Sequence, residues 1–271
     1  MIYNLNKKSK KELVGNKAYH LTQLKMLGFN IPKGIVIPID ITEKILKKHK
    51  KTIIKKINNK KEIKTELDKV NFPDNLMKEI LIHLKDFKNK KFSVRSSTNI
   101  EDSLNHSFAG LFDSYLHVKR SELKENITKC IKSLFSERMI GYSKRNRISL
   151  KDVSIAVIIQ EMVYGDFSGI AFSKNPVNNN TNQIMIEIGK GGCEKFVSGK
   201  NTPNTYILEK ESNNKKVLVE KEDIENINNY LNILKKAIIK LENKLESNVD
   251  IEFTFKSNEL IMLQWRPITT N

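Results

Sequence analysis

The spacing of apolar residues along the chain predicts helices interspersed with short strands. Apolar positions recur every three or four residues over 15–27 and 222–246, the periodicity of a helix with one buried face. The lysine-rich residues 40–90 show similar intervals, and 121–142 is predicted to form one helix. Runs rich in β-branched residues predict strands, and they cover 31–37, 92–95, 153–163, 169–173 and 184–188.

Two further strand-like runs, 250–255 and 260–266, flank turn-forming residues and predict a β-hairpin. If Glu252 and Gln264 lie directly opposite each other in a regularly paired hairpin, the loop must contain an odd number of residues, whereas a two-residue loop would bring them opposite only with a compensating bulge. We therefore expect a three-residue loop over 257–259, with Asn258 suited to a left-handed backbone conformation.

These elements show no regular β-α-β alternation, so they predict an α+β fold with mixed or antiparallel sheets. We expect one domain over residues 1–271, with approximate lobes at 1–110 and 111–271. The hydrophobic fraction of 39% is sufficient for a buried core. A polar N-terminus and the lack of a long apolar run lead us to expect a cytoplasmic protein.

Charge and cysteine content narrow the function classes. A net charge of +17 raises the possibility of nucleic-acid binding, but the lysines are scattered and no nucleic-acid-binding motif accompanies them. The sequence therefore does not indicate nucleic acid as a partner, while the charge favours anionic ligands such as nucleotides. Cys130 and Cys193 are far apart, which favours neither a disulfide framework nor a cysteine zinc site.

The common nucleotide and hydrolase motifs are absent from the sequence. Gly189-Lys190-Gly191-Gly192-Cys193 has the spacing of neither a P-loop nor a dinucleotide-binding turn. No HExxH or GxSxG pattern occurs, so zinc-protease and serine-hydrolase chemistry are not indicated.

Five segments nevertheless form a recognisable series that covers nearly the whole chain. They are Gly15-Asn16-Lys17-Ala18 with 27–34; Ser93-Val94-Arg95-Ser96-Ser97-Thr98 through Glu101-Asp102 to 107–115; 159–163 with 168–176; 187–192 with 197–203; and Asp250-Ile251-Glu252-Phe253 with 263–269. In order and spacing this series resembles the phosphoenolpyruvate synthase and pyruvate phosphate dikinase family.

The resemblance implies an ATP-grasp-type fold with ATP and Mg²⁺ held between two lobes. It assigns the metal to Glu252 and Gln264, and it assigns catalytic roles to Lys17, Arg95 and Arg266. The full nucleotide set that it implies is Lys17, Arg95, Gly110, Ser114, Gln160, Glu252, Gln264 and Arg266. Ser114 stands where the family usually has threonine, so the hydroxyl is kept.

Residue chemistry agrees with these implied roles. Gln264 and Arg266 are two apart on a predicted strand and share one face, whereas Leu263 and Trp265 are expected on the other. A Glu252 carboxylate and a Gln264 amide oxygen are hard ligands suited to Mg²⁺. Arg95 and Arg266 are two of only six arginines, which suggests that a planar fork for phosphate oxygens is needed there.

The same reasoning leaves some roles open. Glu101 and Asp102 fit either acid-base catalysis or hydrogen bonding within their own loop, so they are not included in the catalytic set. We expect ATP-dependent phosphotransfer, with AMP as the expected product. The acceptor is either a histidine on a separate partner protein or a small molecule. The alternative is a nucleotide-binding regulatory or scaffold subunit without turnover.

Overall fold

The computed structural model describes residues 1–101, 111–192 and 202–268, and the chain forms two compact units. Unit 1 comprises Met1–Thr22 and Lys33–Met162, and unit 2 comprises Gln23–Pro32 and Val163–Asn271. This division differs from the approximate boundary near residue 110 expected from the sequence. The reason is that the strand over 155–161 hydrogen-bonds between two earlier strands of unit 1.

Unit 1 contains a five-stranded sheet and most of the helices. Its strands are Tyr3–Asn4 (β1), Gly34–Ile37 (β2), Lys91–Thr98 (β3), Ser114–Lys119 (β4) and Ile155–Glu161 (β5). Its helices are Lys11–Met26 (α1, whose last residues belong to unit 2), Ile39–Lys55 (α2), Lys60–Asp68 (α3), Asp74–His83 (α4), Leu123–Lys132 (α5) and Glu137–Arg145 (α6).

The unit 1 strands are ordered β1-β2-β5-β3-β4, and each neighbouring pair is antiparallel. Side chains alternate between the two faces of a strand. One face of the sheet contributes buried apolar residues to the main core, to which helices α2 to α6 also contribute. These strand residues are Ile35, Ile37, Phe92, Val94, Val157 and Ile159. The other face carries Arg95 and Gln160, and α1 contacts it at Ser97.

Unit 2 contains a six-stranded antiparallel sheet and one described helix. The strands are Phe167–Phe172 (β6), Gln183–Lys190 (β7), Asn204–Glu209 (β8), Lys215–Val219 (β9), Val249–Lys256 (β10) and Glu259–Pro267 (β11), in the order β11-β10-β6-β7-β8-β9. The helix is Ile227–Leu245 (α7), and its Tyr230 ring lies 4.6 Å from that of Phe255. Helix α7 thus packs against the apolar face of β10, and the opposite face carries polar residues.

The β10–β11 hairpin forms as predicted, but its loop does not. Lys256 pairs with Glu259, so the loop has two residues, Ser257 and Asn258, and the expected three-residue loop is wrong. Both loop residues have positive φ, of 50° and 65°, which is the conformation of a type I′ turn and confirms the left-handed Asn258. The backbone twist of a type I′ turn matches the right-handed twist of the flanking strands.

The predicted α+β class with antiparallel sheets is confirmed. The single helix expected over 121–142 is instead two helices, because residues Ser133–Phe135 tighten into a 3₁₀ turn between α5 and α6. Strand β3 continues to Thr98, three residues beyond the end of the strand predicted over 92–95. Among the described helices, none is long and apolar enough to cross a membrane.

Candidate functional site

In unit 2, the hairpin brings Glu252 and Gln264 directly opposite each other. The register shifts by one residue between Glu252 and Phe253, so that Leu263 is an extra residue in β11, a β-bulge. Met262 and Trp265 therefore both face the core, with exposures of 0% and 5%. The expectation that Leu263 would share a face with Trp265 is wrong, because the bulge interrupts the alternation.

Because of the bulge, the side chains of Gln264 and Arg266 both lie on the polar face of the sheet. Arg266 pairs across the hairpin with Asp250, and its Nε donates to Asp250 Oδ2 at 2.6 Å. The Asp250 side chain is 9% exposed and that of Arg266 is 41% exposed. Burial raises the pKa of the Asp250 carboxyl, and the neighbouring Arg266 acts in the opposite direction. Asp250 thus fixes one edge of the guanidinium that was predicted to act on phosphate.

A further carboxylate lies on the same face, two strands away from Glu252. Ile170 of β6 pairs with Glu252 on one side and with Glu187 of β7 on the other. Cross-strand partners point to the same side of a sheet, so Glu187 and Glu252 share the polar face. Burial raises the pKa of Glu187. Functional sites often contain a carboxyl group whose pKa is raised by burial.

The described residues fit a magnesium ion that also binds phosphate. The opposed pair supplies one carboxylate and one amide oxygen, and Mg²⁺ in nucleotide sites typically uses one or two protein carboxylates together with substrate phosphates and water. No group of three or more His, Cys, Asp or Glu side chains among the described residues is arranged to hold a metal.

In unit 1, three of the predicted residues lie on one face of the sheet. Arg95 of β3 is the cross-strand partner of Ser114 at the start of β4. Gln160 of β5 is the partner of Ser93, two residues from Arg95 on the same strand. Since residues i and i+2 share a face, Arg95, Ser114 and Gln160 point to the same side. The sequence could not show this, because the strand order is set by tertiary pairing.

Gln160 has a buried donor that no described residue satisfies. Its side chain is 2% exposed, and its Nε2 has no hydrogen-bond partner within the described parts of the chain. A buried amide nitrogen without an acceptor costs free energy. The position suits a ligand that presents a hydrogen-bond acceptor, as an adenine ring nitrogen does.

Lys17 lies on helix α1, which contacts this sheet at Ser97. The helix is kinked at Gly15, whose φ of 73° is left-handed and whose position leaves no room for a β-carbon beside the Ser97 backbone. Ala18 N donates to Ser97 Oγ at 3.0 Å, which anchors the turn that carries Lys17. The Lys17 ammonium lies 3.1 Å from Glu101 Oε1.

Three carboxylates of the arrangement were not among the predicted site residues: Asp250, Glu187 and Glu101. Asp250 could have been found from the sequence, because it precedes Glu252 by two residues on a predicted strand and therefore shares its face. Glu101 was considered and left open. Glu187 opens the fourth motif segment, but only the strand pairing shows that it shares a face with Glu252. Gly110, predicted to approach the nucleotide, lies outside the described residues.

A profile of one protein family covers almost all of this sequence. The family is the AMP/ATP-binding domain of pyruvate phosphate dikinase, and its profile matches residues 11–271. The chain belongs to this family. That assignment agrees with the resemblance seen in the motifs.

Two curated relatives and one solved structure illustrate the range of similar proteins. The uncharacterised phosphotransferase YvkC of Bacillus subtilis is 26% identical over 96% of this chain and 34% of its own length. A rifampicin phosphotransferase of the same organism is 31% identical over 71% of this chain and 24% of its own length. The chain thus spans about a third or less of these relatives.

The structural similarity is weaker than the sequence match. D-alanine–D-alanine ligase of Helicobacter pylori has a TM-score of 0.43 and 13% identity, over 93% of this chain and 54% of the ligase. The family assignment consequently comes from the sequence profile alone.

Proposed function

We propose that this chain is an ATP-grasp-type domain that binds Mg-ATP and transfers a phosphoryl group from it. The observation that carries the proposal is the bulged hairpin. It places Glu252 opposite Gln264, and Arg266 opposite Asp250, on one face of the unit 2 sheet. Two oxygen ligands beside a positioned guanidinium suit a metal-bound polyphosphate.

In this proposal, each unit 2 residue has a separate task. Glu252 and Gln264 would hold Mg²⁺, whose positive charge would offset the negative charge that develops during transfer. Arg266 binds phosphate oxygens with its planar fork, and Asp250 orients that fork through the 2.6 Å bond to Nε. Holding the fork in advance lowers the cost of ordering it when charge redistributes.

We also assign the unit 1 residues to nucleotide binding, on the basis of the family resemblance. Arg95 and Lys17 supply positive charge to phosphate oxygens, and the Ser114 hydroxyl lies opposite Arg95 across the β3–β4 ladder. Gln160 offers its buried Nε2 to an acceptor on the adenine edge, which would satisfy that donor. Gly110 is assigned to close backbone approach on the basis of the family motif.

The product and the acceptor are also proposals. We infer that ATP is split to AMP, with one phosphoryl group passing to the acceptor and the other to water, as the resemblance to the dikinase family implies. The acceptor is a histidine of a separate partner protein or a small molecule, and the name of one relative makes rifampicin a reasonable first compound to test. The cytoplasmic location expected from the sequence stays a prediction.

A direct test combines calorimetry with product analysis. The purified chain should bind ATP in the presence of Mg²⁺ and bind it more weakly when the metal is chelated. Adenine-labelled ATP incubated at high protein concentration should then yield AMP slowly with water as acceptor, and faster with a true acceptor. Rifampicin and pyruvate are the first two candidates.

The possible outcomes separate the alternatives. ADP as the sole nucleotide product would rule out the dikinase-type split and favour an ordinary kinase. Tight Mg-ATP binding with neither product after prolonged incubation would favour the regulatory or scaffold subunit. Lack of Mg-ATP binding would refute the proposal.

A further inference from the structure

Glu101 uses all its polar groups to join the end of β3 to the turn that carries Lys17. Its Oε1 accepts from Lys17 Nζ at 3.1 Å, and its Oε2 accepts from the Thr98 backbone N at 2.9 Å. Its own backbone N donates to Thr98 Oγ1 at 3.1 Å, and its carbonyl accepts from the Asn16 side chain. Glu101 is 5% exposed, so these contacts are shielded from water.

The contacts on both sides of Lys17 leave its backbone little freedom. Asn16, which stands where the family motif has a second glycine, is 1% exposed and bonds to Glu101. Ala18 N bonds to Ser97 Oγ at 3.0 Å. The backbone at 16–18 is therefore attached to the end of β3, and the ion pair with Glu101 is what fixes the long Lys17 side chain.

We propose that Glu101 is a positioning residue that holds the Lys17 ammonium in place for phosphate binding and transfer. The inference rests on the proposed role of Lys17. A lysine side chain has four rotatable bonds and loses much rotamer freedom when it is ordered. Ordering it before the nucleotide arrives removes part of that cost from the reaction. Neither the family assignment nor the residues implied by the motif include Glu101 in the site.

The ion pair is also compatible with the opposite role, in which Glu101 competes with phosphate for the lysine. The two roles predict different results for Glu101→Gln. Loss of a positioning residue leaves a misplaced lysine and slower transfer, since displacements of about 1 Å can cost about 10²-fold in rate. Loss of a competitor tightens ATP binding. We commit to the positioning role because Glu101 is held by Thr98 and Asn16 as well as by the lysine.

Glu101→Gln is the appropriate variant because it keeps the shape and removes the charge. The amide has only one acceptor oxygen, so its NH₂ group must face one of two donors, Lys17 Nζ or Thr98 N. Glu242→Gln is the matched control. Glu242 forms a similar partly buried pair with Lys210, whose Nζ lies 2.7 Å from Glu242 Oε1, and neither residue belongs to the proposed site.

We expect Glu101→Gln to lower AMP formation by about 10- to 100-fold while changing the ATP dissociation constant less than about threefold. In a Lys17→Met background the same substitution should have almost no further effect, because Glu101 acts through the lysine. Glu242→Gln should leave both quantities unchanged. Unchanged turnover in Glu101→Gln, or tighter ATP binding, would overturn the positioning role.

A second measurement does not depend on ATP. Lysine acetylation followed by mass spectrometry reports how accessible and how strongly paired each ammonium is, and the Lys17 side chain is only 12% exposed in its pair. Its acetylation rate should rise severalfold in Glu101→Gln, while that of Lys210 stays constant. In one outcome, the wild type fails to bind Mg-ATP while the Lys17 acetylation rate still rises in Glu101→Gln. That combination would refute the proposed function but would confirm that Glu101 holds Lys17. If the Lys17 rate stays constant in a folded variant, Glu101 does not hold the lysine, and the inference fails.

Discussion

Glu252 and Gln264 are cross-strand partners in the β10–β11 hairpin only because Leu263 forms a β-bulge. The two-residue turn by itself would pair Glu252 with Leu263 and place Gln264 on the opposite face of the sheet. The extra residue restores the register from Gln264 to Pro267, so that the amide and the Arg266 guanidinium return to the polar face. Bulges that re-aim side chains are frequent beside active sites.

This pairing makes an exchange of the two side chains informative. Glu252→Gln should lower turnover by about 10²-fold, equivalent to about 2.7 kcal/mol, because the site loses its charged metal ligand. The double variant Glu252→Gln with Gln264→Glu returns a carboxylate to the opposite strand and should recover part of that loss. Turnover as a function of Mg²⁺ concentration is the measurement. A double variant as slow as the product of both single effects would contradict a shared metal.

Arg266→Lys should separate chemistry from binding. Lysine keeps the charge but loses the planar fork and the Nε bond to Asp250. We expect AMP formation to fall by about 10²-fold, or about 2.7 kcal/mol, with a much smaller change in ATP affinity. Calorimetry and product chromatography on the same preparation measure both quantities. Arg147→Lys, at an exposed position, is the control and should behave as wild type. Equal losses in turnover and affinity would show that Arg266 only anchors the nucleotide.

Gln160→Met should change stability and nucleotide affinity in opposite directions. The buried Nε2 has no acceptor among the described residues, so its removal should raise the free energy of unfolding by about 1 kcal/mol. ATP affinity should fall about tenfold, or about 1.4 kcal/mol, if the amide binds the base. Urea denaturation and calorimetry test the two effects.

Gln183→Met is a contrasting control for that variant. Its Oε1 accepts a 2.8 Å bond from the Asn175 side chain, so this substitution should lower stability by about 1 kcal/mol without affecting ATP. A destabilised Gln160→Met variant with normal ATP affinity would assign Gln160 to the fold and remove it from the nucleotide site.

Gly34→Ala should destabilise unit 1. An added β-carbon would lie 2.6 Å from Leu5 Cδ1 and 2.7 Å from Gln160 Cγ, closer than van der Waals contact. Overpacking of this kind costs about 1–3 kcal/mol, which chemical denaturation can measure. In Gly141→Ala the nearest atom is the end of Arg145 at 3.5 Å, and a helical glycine replaced by alanine gains about 0.5–1 kcal/mol. Equal effects of the two substitutions would mean that the crowding at Gly34 is relieved by small shifts.

Glu187→Gln should stabilise the fold in a pH-dependent way. Burial raises the pKa of Glu187 above its ordinary value of 4.5, so the wild type loses stability as pH rises through that pKa. The glutamine variant avoids this loss, and its advantage should be largest near neutral pH and shrink as pH falls towards 4.5 and below. Denaturation midpoints across this range give the comparison. Glu211→Gln, at an exposed position, should show no such trend, and a pH-independent advantage for Glu187→Gln would contradict the burial effect.

Much of this protein could be predicted from its sequence, because the decisive signals are local. The turn propensity of Asn258, the apolar stripe of α7 and the strand runs on either side of the turn are encoded within a few residues. The motif series also indicated the family, which the profile match over residues 11–271 confirms. The opposed Glu252–Gln264 pair was predicted correctly, but from an incorrect loop.

Only the tertiary structure decided which residues meet across the sheets. The Leu263 bulge, the pairing of Arg95 with Ser114 and the common face of Glu187 and Glu252 all depend on strand register and order. The contact between Lys17 and Glu101 joins residues 84 positions apart. Strand pairing and buried ion pairs are chosen by the packing of distant segments, and periodicity along one segment carries no information about which distant segment it will contact.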